Sequence, residues 1–256
     1  MQKKNKHTTG KGILVLLSSV AVMLCIMLAV LPVQAHNLWV LGDADGKGTG
    51  QVHIYFEHHI GPGKGGYNGP IVERGKTWLK KLDGEKQSIE IKEVTVDEGT
   101  YIAGSAESVS GSYALDHTSL YGIYSGRLDF FHGRYIKAET KEDLAKLAES
   151  PDVPVQIIPS WTDKGLMLQI KYFALPWPRT SLWMMQPEEK DEKGEMKEKE
   201  MQTNNKGEIL IGKLKPGTHY FSTRIIEKDP AGAFEYQAYK GLMHGSTLIL
   251  KLGSSF

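Results

Sequence analysis

The sequence is poor in thiols. Its one cysteine among 256 residues, Cys25, lies inside an uncharged run from Ile13 to Val33. A chain cut after that run holds no disulfide, no zinc–thiolate centre and no cysteine nucleophile. Charge of one sign is lacking as well. The first 35 residues carry four lysines and no acid, and the remaining 221 have a formal net charge of −3. Nucleic acid is therefore not an expected partner, and an acidic disordered chain is not expected either. Two catalytic patterns are missing: no Gly-x-Ser-x-Gly elbow and no His-Glu-x-x-His helix accompanies the histidines. The glycine-rich stretch Gly61-Pro62-Gly63-Lys64-Gly65-Gly66 continues into Tyr67-Asn68-Gly69-Pro70. It lacks the Gly-Lys-Ser/Thr ending and following helix of a phosphate-binding loop. The expectation is a protein that is not an enzyme.

What is present begins with a targeting pattern. Lys3, Lys4, Lys6 and Lys11 form a basic start, the apolar run follows, and Val33 and Ala35 make a small-residue processing site. Residues 1–35 are thus expected to be a signal peptide, with export to the periplasm or beyond. The 21-residue run is also long enough to span a bilayer, so a retained membrane anchor is the alternative. Cleavage would leave His36 as the first residue. An N-terminal histidine offers an α-amine and an imidazole from one residue, with reference pKa values of ~7.7–8.0 and ~6.5. Both lose their protons to a metal ion around neutrality.

From His36 onward the patterning is that of strands. Leu38–Leu41 reads as a first strand, and Gln51–His59 alternates strictly, with Val52, Ile54, Phe56 and His58 on one face. Further strands are predicted at 77–82, 89–96, 100–106 and 127–138. A short helix is capped at Thr140 and striped by Leu144, Leu147 and Ala148. It reads as a spacer ending before Pro151. Strands are then expected at 155–159, 166–173, 181–186, 208–211, 217–227 and 246–252, with the mixed-charge run Glu188–Glu200 as a solvated hairpin loop. The fold class is mainly β, as two β-sandwich domains of immunoglobulin-like or transthyretin-like kind. Their expected extents are 36–150, carrying the candidate site, and 151–256.

Eight histidines follow residue 35. His58 and His59 end a strand and open the glycine-rich loop, and adjacent strand residues point to opposite faces. His58 is in phase with Phe56 and is expected to aim inward towards the first strand. His132, in the aromatic strand Phe130-Phe131-His132-Gly133-Arg134-Tyr135, is a further candidate. The candidate metal ligands are therefore His36, His58, His59 and His132. Nitrogen ligation of this kind suits nickel, copper, cobalt or zinc rather than magnesium or calcium.

Several short motifs resemble those of the NikM-like secreted proteins, the nickel uptake transporter family. Ala35-His36-Asn37-Leu38-Trp39-Val40 resembles the family's Ala-His-x-x-Trp-Leu start. Tyr55-Phe56-Glu57-His58-His59-Ile60 is similar to its second-strand motif, with Glu57 where glycine is usual. Arg134–Ala138 resembles its Tyr-x-Lys-Ala strand, Val155–Pro159 its second-domain opening, and Lys215–Tyr220 with Asp229-Pro230 its closing strands. The resemblance implies two β domains, export, and handling of nickel or a related metal. The first reading is accordingly a secreted metal-binding protein that passes the ion to a membrane metal importer. His36 and His58 match the family's histidines. A second reading treats the chain as an adhesion or scaffold protein of immunoglobulin-like modules that needs no metal. A third, a copper oxygenase with an N-terminal histidine, lacks an extended aromatic face, since Trp161, Trp177 and Trp183 alone do not make one.

Overall fold

Period-two alternation of apolar residues dictates strands through most of the chain. The computed structural model describes residues 36–42, 50–106, 110–190 and 196–256. The expected signal segment and its cleavage site lie outside the described residues. Among the described residues no helix is long and apolar enough to cross a membrane.

The strands are β1 (Asn37–Gly42), β2 (Gln51–Glu57), β3 (Gly75–Lys81), β4 (Lys86–Ile89), β5 (Ile91–Val96), β6 (Gly99–Ser105), β7 (Tyr113–Tyr124) and β8 (Arg127–Ala138). They continue as β9 (Val155–Thr162), β10 (Gly165–Tyr172), β11 (Leu175–Pro176), β12 (Ser181–Lys190), β13 (Met196–Gln202), β14 (Glu208–Gly212), β15 (Gly217–Phe234) and β16 (Gln237–Leu252). Among the described residues there are also two short helices, α1 (Gly69–Arg74) and α2 (Lys141–Leu147). The chain is mainly β, as expected, with its sheets packed as sandwiches.

The central sheet runs β13-β12-β15-β16-β8-β7-β3-β4. A second sheet, β1-β2-β6-β5, and a third, in which β10 pairs with β9, β11 and β14, complete the layers. Alternate residues of the central strands enter two different cores. Leu115, Tyr135, Met243 and Ile249 join Leu38, Trp39, Val52, Ile54 and Ile102 of the second sheet. Ala114, Ile136, Leu248 and Leu250 join Val155, Ile157, Leu168 and Ile170 of the third. The central sheet is thus covered on both faces, and each buried aliphatic side chain contributes about 1.5–3 kcal/mol.

Two sandwich cores are present, but in place of the expected division at residues 150/151 they share this sheet. β8 and β16, from opposite sides of that boundary, pair in parallel from Leu128↔Leu242 to Ala138↔Leu252. Residues 36–256 accordingly form one compact unit. A sheet buried on both faces also explains why β7 escapes the sequence pattern. Asp116 and His117 sit in it fully buried, so polar residues fall where a one-sided strand would place them outside.

The helix capped at Thr140 forms as expected, and the Thr140 hydroxyl accepts a hydrogen bond from the Asp143 amide at 3.1 Å. It is not a mere spacer, because Leu144 and Leu147 are buried in the core beneath the third sheet. Arg134 reaches this helix from β8. Its Nε donates to Asp116 Oδ1 at 2.6 Å, and its Nη atoms donate to the carbonyls of Leu147 and Ala148 at the helix C-terminus. The mixed-charge run also differs from its expected form. Its latter part is the edge strand β13, paired with β12. Lys197-Glu198-Lys199-Glu200 are exposed there, and charges on an edge strand discourage pairing with another chain. β15 continues past Asp229-Pro230 through a register shift between Glu227 and Ala231, where a proline is tolerated.

Candidate functional site

β1 and β2 pair antiparallel with Asn37 opposite Glu57 and Leu38 opposite Phe56. One step outward, this register sets His36 against His58. Their ring centroids are 4.7 Å apart at an interplanar angle of 29°. His36 also lies against Phe56 at 5.2 Å and Tyr67 at 5.1 Å. The structure therefore brings His58, which strand alternation aimed at the first strand, against His36, the residue just before that strand.

The third polar group is Glu57, which the sequence reading passed over. Its Oε2 stands 3.6 Å from His36 Nε2, and both side chains are partly shielded from solvent. The alternation places Glu57 on the face opposite His58, but at the strand's end the carboxyl group reaches round to His36. The available signal was its departure from the glycine usual in the similar motif.

The glycine-rich loop makes the room for this arrangement. Gly63 exchanges two backbone hydrogen bonds with Thr100, at 2.9 and 2.7 Å, which fasten the loop to β6. The Asn68 amide donates to the Thr100 hydroxyl at 3.3 Å. Gly63 packs directly on the Glu57 side chain, so a Cβ there would overlap the carboxyl group. Tyr67 comes from the same loop. Through Tyr67 the loop thus packs against His36.

Burial holds the His36 imidazole pKa below its ordinary value, and the neighbouring His58 adds to this. Glu57 pulls the other way, and Arg224 again lowers it. The Arg224 guanidinium donates to Asn37 Oδ1 at 3.3 Å, one residue from His36. The outcome is a neutral imidazole at neutral pH, with its lone pair available to a Lewis acid.

The other two candidates are elsewhere. His59 is exposed and turned towards Gly61. His132 is only 1% exposed, on the face of the central sheet that packs against the third sheet. Both its nitrogens have partners: Thr118 Oγ1 at 2.8 Å on Nδ1 and His244 Nδ1 at 3.1 Å on Nε2. Phe131 next to it points to the opposite core, with Phe56. His132 therefore leaves the candidate set, because strand alternation turns it away from His36. Among the described residues no three His, Cys, Asp or Glu side chains stand ready as a metal-binding group.

No family model matches the chain. No curated protein matches it either. One solved structure, titled "Crystal structure of tetra-tandem repeat in extending region of large adhesion protein", is similar at 10% identity with a TM-score of 0.22. That match covers 85% of this chain and 50% of the other, so the chain spans about half the length of that protein. A likeness this slight carries no argument.

Proposed function

We propose that the protein, once cut before His36, is an exported metal carrier that assists uptake of nickel, cobalt or a related transition metal and is not an enzyme. The observation that carries this reading is the cluster of His36, His58 and Glu57 at one end of the β1–β2 pair, with rings 4.7 Å apart and the carboxylate 3.6 Å from His36. The two imidazoles suit nickel(II), copper(II), cobalt(II) or zinc(II), and Glu57, 3.6 Å from His36 Nε2, is placed to orient that ring rather than to complete a three-residue metal group. Two side-chain nitrogens are a sparse donor set, and cleavage adds the α-amine of His36. That amine and the His36 imidazole close a chelate ring without ordering any further chain. The metal is cargo, handed to a membrane importer.

The test is metal titration of the protein beginning at His36, of the same chain with one residue placed before His36, and of His58→Ala. The reading expects one Ni²⁺ or Cu²⁺ per chain and a visible ligand-field band. Affinity should fall as pH drops from about 8 to about 5, through the amine value of ~7.7–8.0. The added residue should weaken binding and flatten the upper part of that pH dependence. Equal affinity in all three proteins, or no binding in the first, defeats the proposal. The absence of any binding would favour a metal-free adhesion or scaffold role.

A further inference from the structure

A second polar cluster lies on the other face of the central sheet and has no part in the candidate metal site. Thr118 Oγ1 is 2.8 Å from His132 Nδ1, His132 Nε2 is 3.1 Å from His244 Nδ1, and His244 Nε2 is 3.3 Å from the Tyr172 hydroxyl. That hydroxyl donates to Glu227 Oε1. The five residues come from β7, β8, β16, β10 and β15. All but Tyr172 belong to the central sheet, so the Tyr172 hydroxyl is the joint to the third sheet. We propose that this chain of hydrogen bonds is an acid-sensitive clasp that fastens the end of β10 to the central sheet.

The direction of every bond follows from the last one. Because the Tyr172 hydroxyl gives its proton to a carboxylate, its oxygen accepts from His244 Nε2–H. His244 Nδ1 is then an acceptor, filled by His132 Nε2–H, and His132 Nδ1 accepts from the Thr118 hydroxyl. Both imidazoles are neutral and carry the proton on Nε2. A proton added to His244 forces His132 into its other tautomer and turns the Thr118 hydroxyl round. A second proton, on His132, sets two N–H groups face to face.

The surroundings oppose charge. His244 is 3% exposed, and Phe130 stacks on its ring at 4.6 Å. The titratable groups around it are His132 from β8, Tyr172 from β10 and Glu227 from β15, with His117 of β7 acting on His132. β9 contributes the apolar Val155 and Ile157, and the Val155 carbonyl is taken by Ser246. Burial lowers the His244 pKa to about 4 from 6.5 and holds His132 well below 6.5, where His244 and His117 depress it further. A histidine freed from the site therefore binds a proton that the closed site refuses. The clasp is at full strength above pH 6.5 and weakens as pH falls towards about 4. For His244 alone the opening constant should grow on the order of 10²-fold over that interval. Beyond Tyr172 the chain turns through Phe173 and Ala174, both at positive φ (45° and 66°), and Phe173 and Leu175 are exposed there. Opening would free this turn.

The test combines amide exchange with imidazole ¹⁵N spectra of the protein between pH 7 and 4. Amides of Phe173 and Trp177, bonded to the Pro154 and Ile170 carbonyls, report the end of β10; those of Leu248 and Leu250, between β15 and β8, report the central sheet. Corrected for intrinsic rates, opening at Phe173 should rise about 10²-fold on acidification, while the β16 amides stay protected. His244→Gln should remove most of this pH dependence. Tyr172→Phe, which keeps the ring and removes only the hydroxyl, should open the end of β10 already at pH 7. The ¹⁵N shifts should show both imidazoles as neutral Nε2–H tautomers at pH 6. The proposal is overturned by a pH-independent Phe173 amide, by His244→Gln responding to acid as the parent does, or by a His244 ring that titrates near 6.5.

Discussion

Gly63 and Glu57 occupy one space between them: where residue 63 would carry a Cβ, the Glu57 carboxyl group lies instead. The loop backbone at 63 is fixed by its two hydrogen bonds to Thr100 and has little freedom to retreat. The absence of a side chain in the loop is thus what lets a carboxylate sit beside His36.

Gly63→Ala should therefore expel Glu57 from the cluster while leaving the histidine pair. Overpacking of this kind costs about 1–3 kcal/mol, read as a shift of the urea midpoint. On the proposed function, the same substitution should weaken Ni²⁺ binding as Glu57→Gln does, and the two together should do little more than either alone. Additive losses would mean that Gly63 acts on the site by another route.

The shared central sheet makes a prediction about dissection. A chain of residues 153–256 keeps β9 to β16 but loses β8, the parallel partner of β16 over its last eleven residues. It also loses Ala114, Ile136, Leu144 and Leu147 from one core and exposes Met185, Met243 and Ile249, which belong to the other. The fragment should show no cooperative urea transition and a far-ultraviolet spectrum without ordered strand. A sharp transition in the isolated fragment would show that the parallel pairing is dispensable.

The sequence makes some of this plain and hides the rest for physical reasons. The pairing of His36 with His58 follows from the strict alternation of Gln51–His59, since a strand's period of two fixes which face a residue takes. His132 obeys the same rule, but its partner His244 lies 112 residues further on in sequence, across a parallel pairing that no local pattern announces. Residues Tyr113–Tyr124 are silent because a strand covered on both faces loses its polar–apolar alternation. β15 is cut short in the reading because Asp229-Pro230-Ala231-Gly232 looks like a turn, whereas a register shift carries the strand through it. α1 is hidden within a glycine- and proline-rich stretch, where Pro70 in fact sits in the first helical turn. Glu57 escapes because strand phase describes a Cβ direction, and a long side chain at a strand end reaches beyond it.

Arg134 and Asp116 supply the last prediction. Both are 0% exposed and lie on neighbouring strands, Asp116 directly opposite Arg134 in the β7–β8 register. The guanidinium satisfies one carboxylate oxygen and two carbonyls at the C-terminus of α2. Arg134→Ala would leave a buried carboxylate without its counter-ion and two helix carbonyls without donors, and breaking such a pair costs about 3–5 kcal/mol. Asp116→Leu alone strands the cation and should cost a similar amount. The double replacement Arg134→Met with Asp116→Leu removes both charges and should recover much of the loss, less what the α2 carbonyls forfeit. Urea midpoints of the parent, both single variants and the double variant complete the cycle. A double variant as unstable as the sum of the singles would show that the two charges are not coupled, and that Arg134 matters through α2 alone.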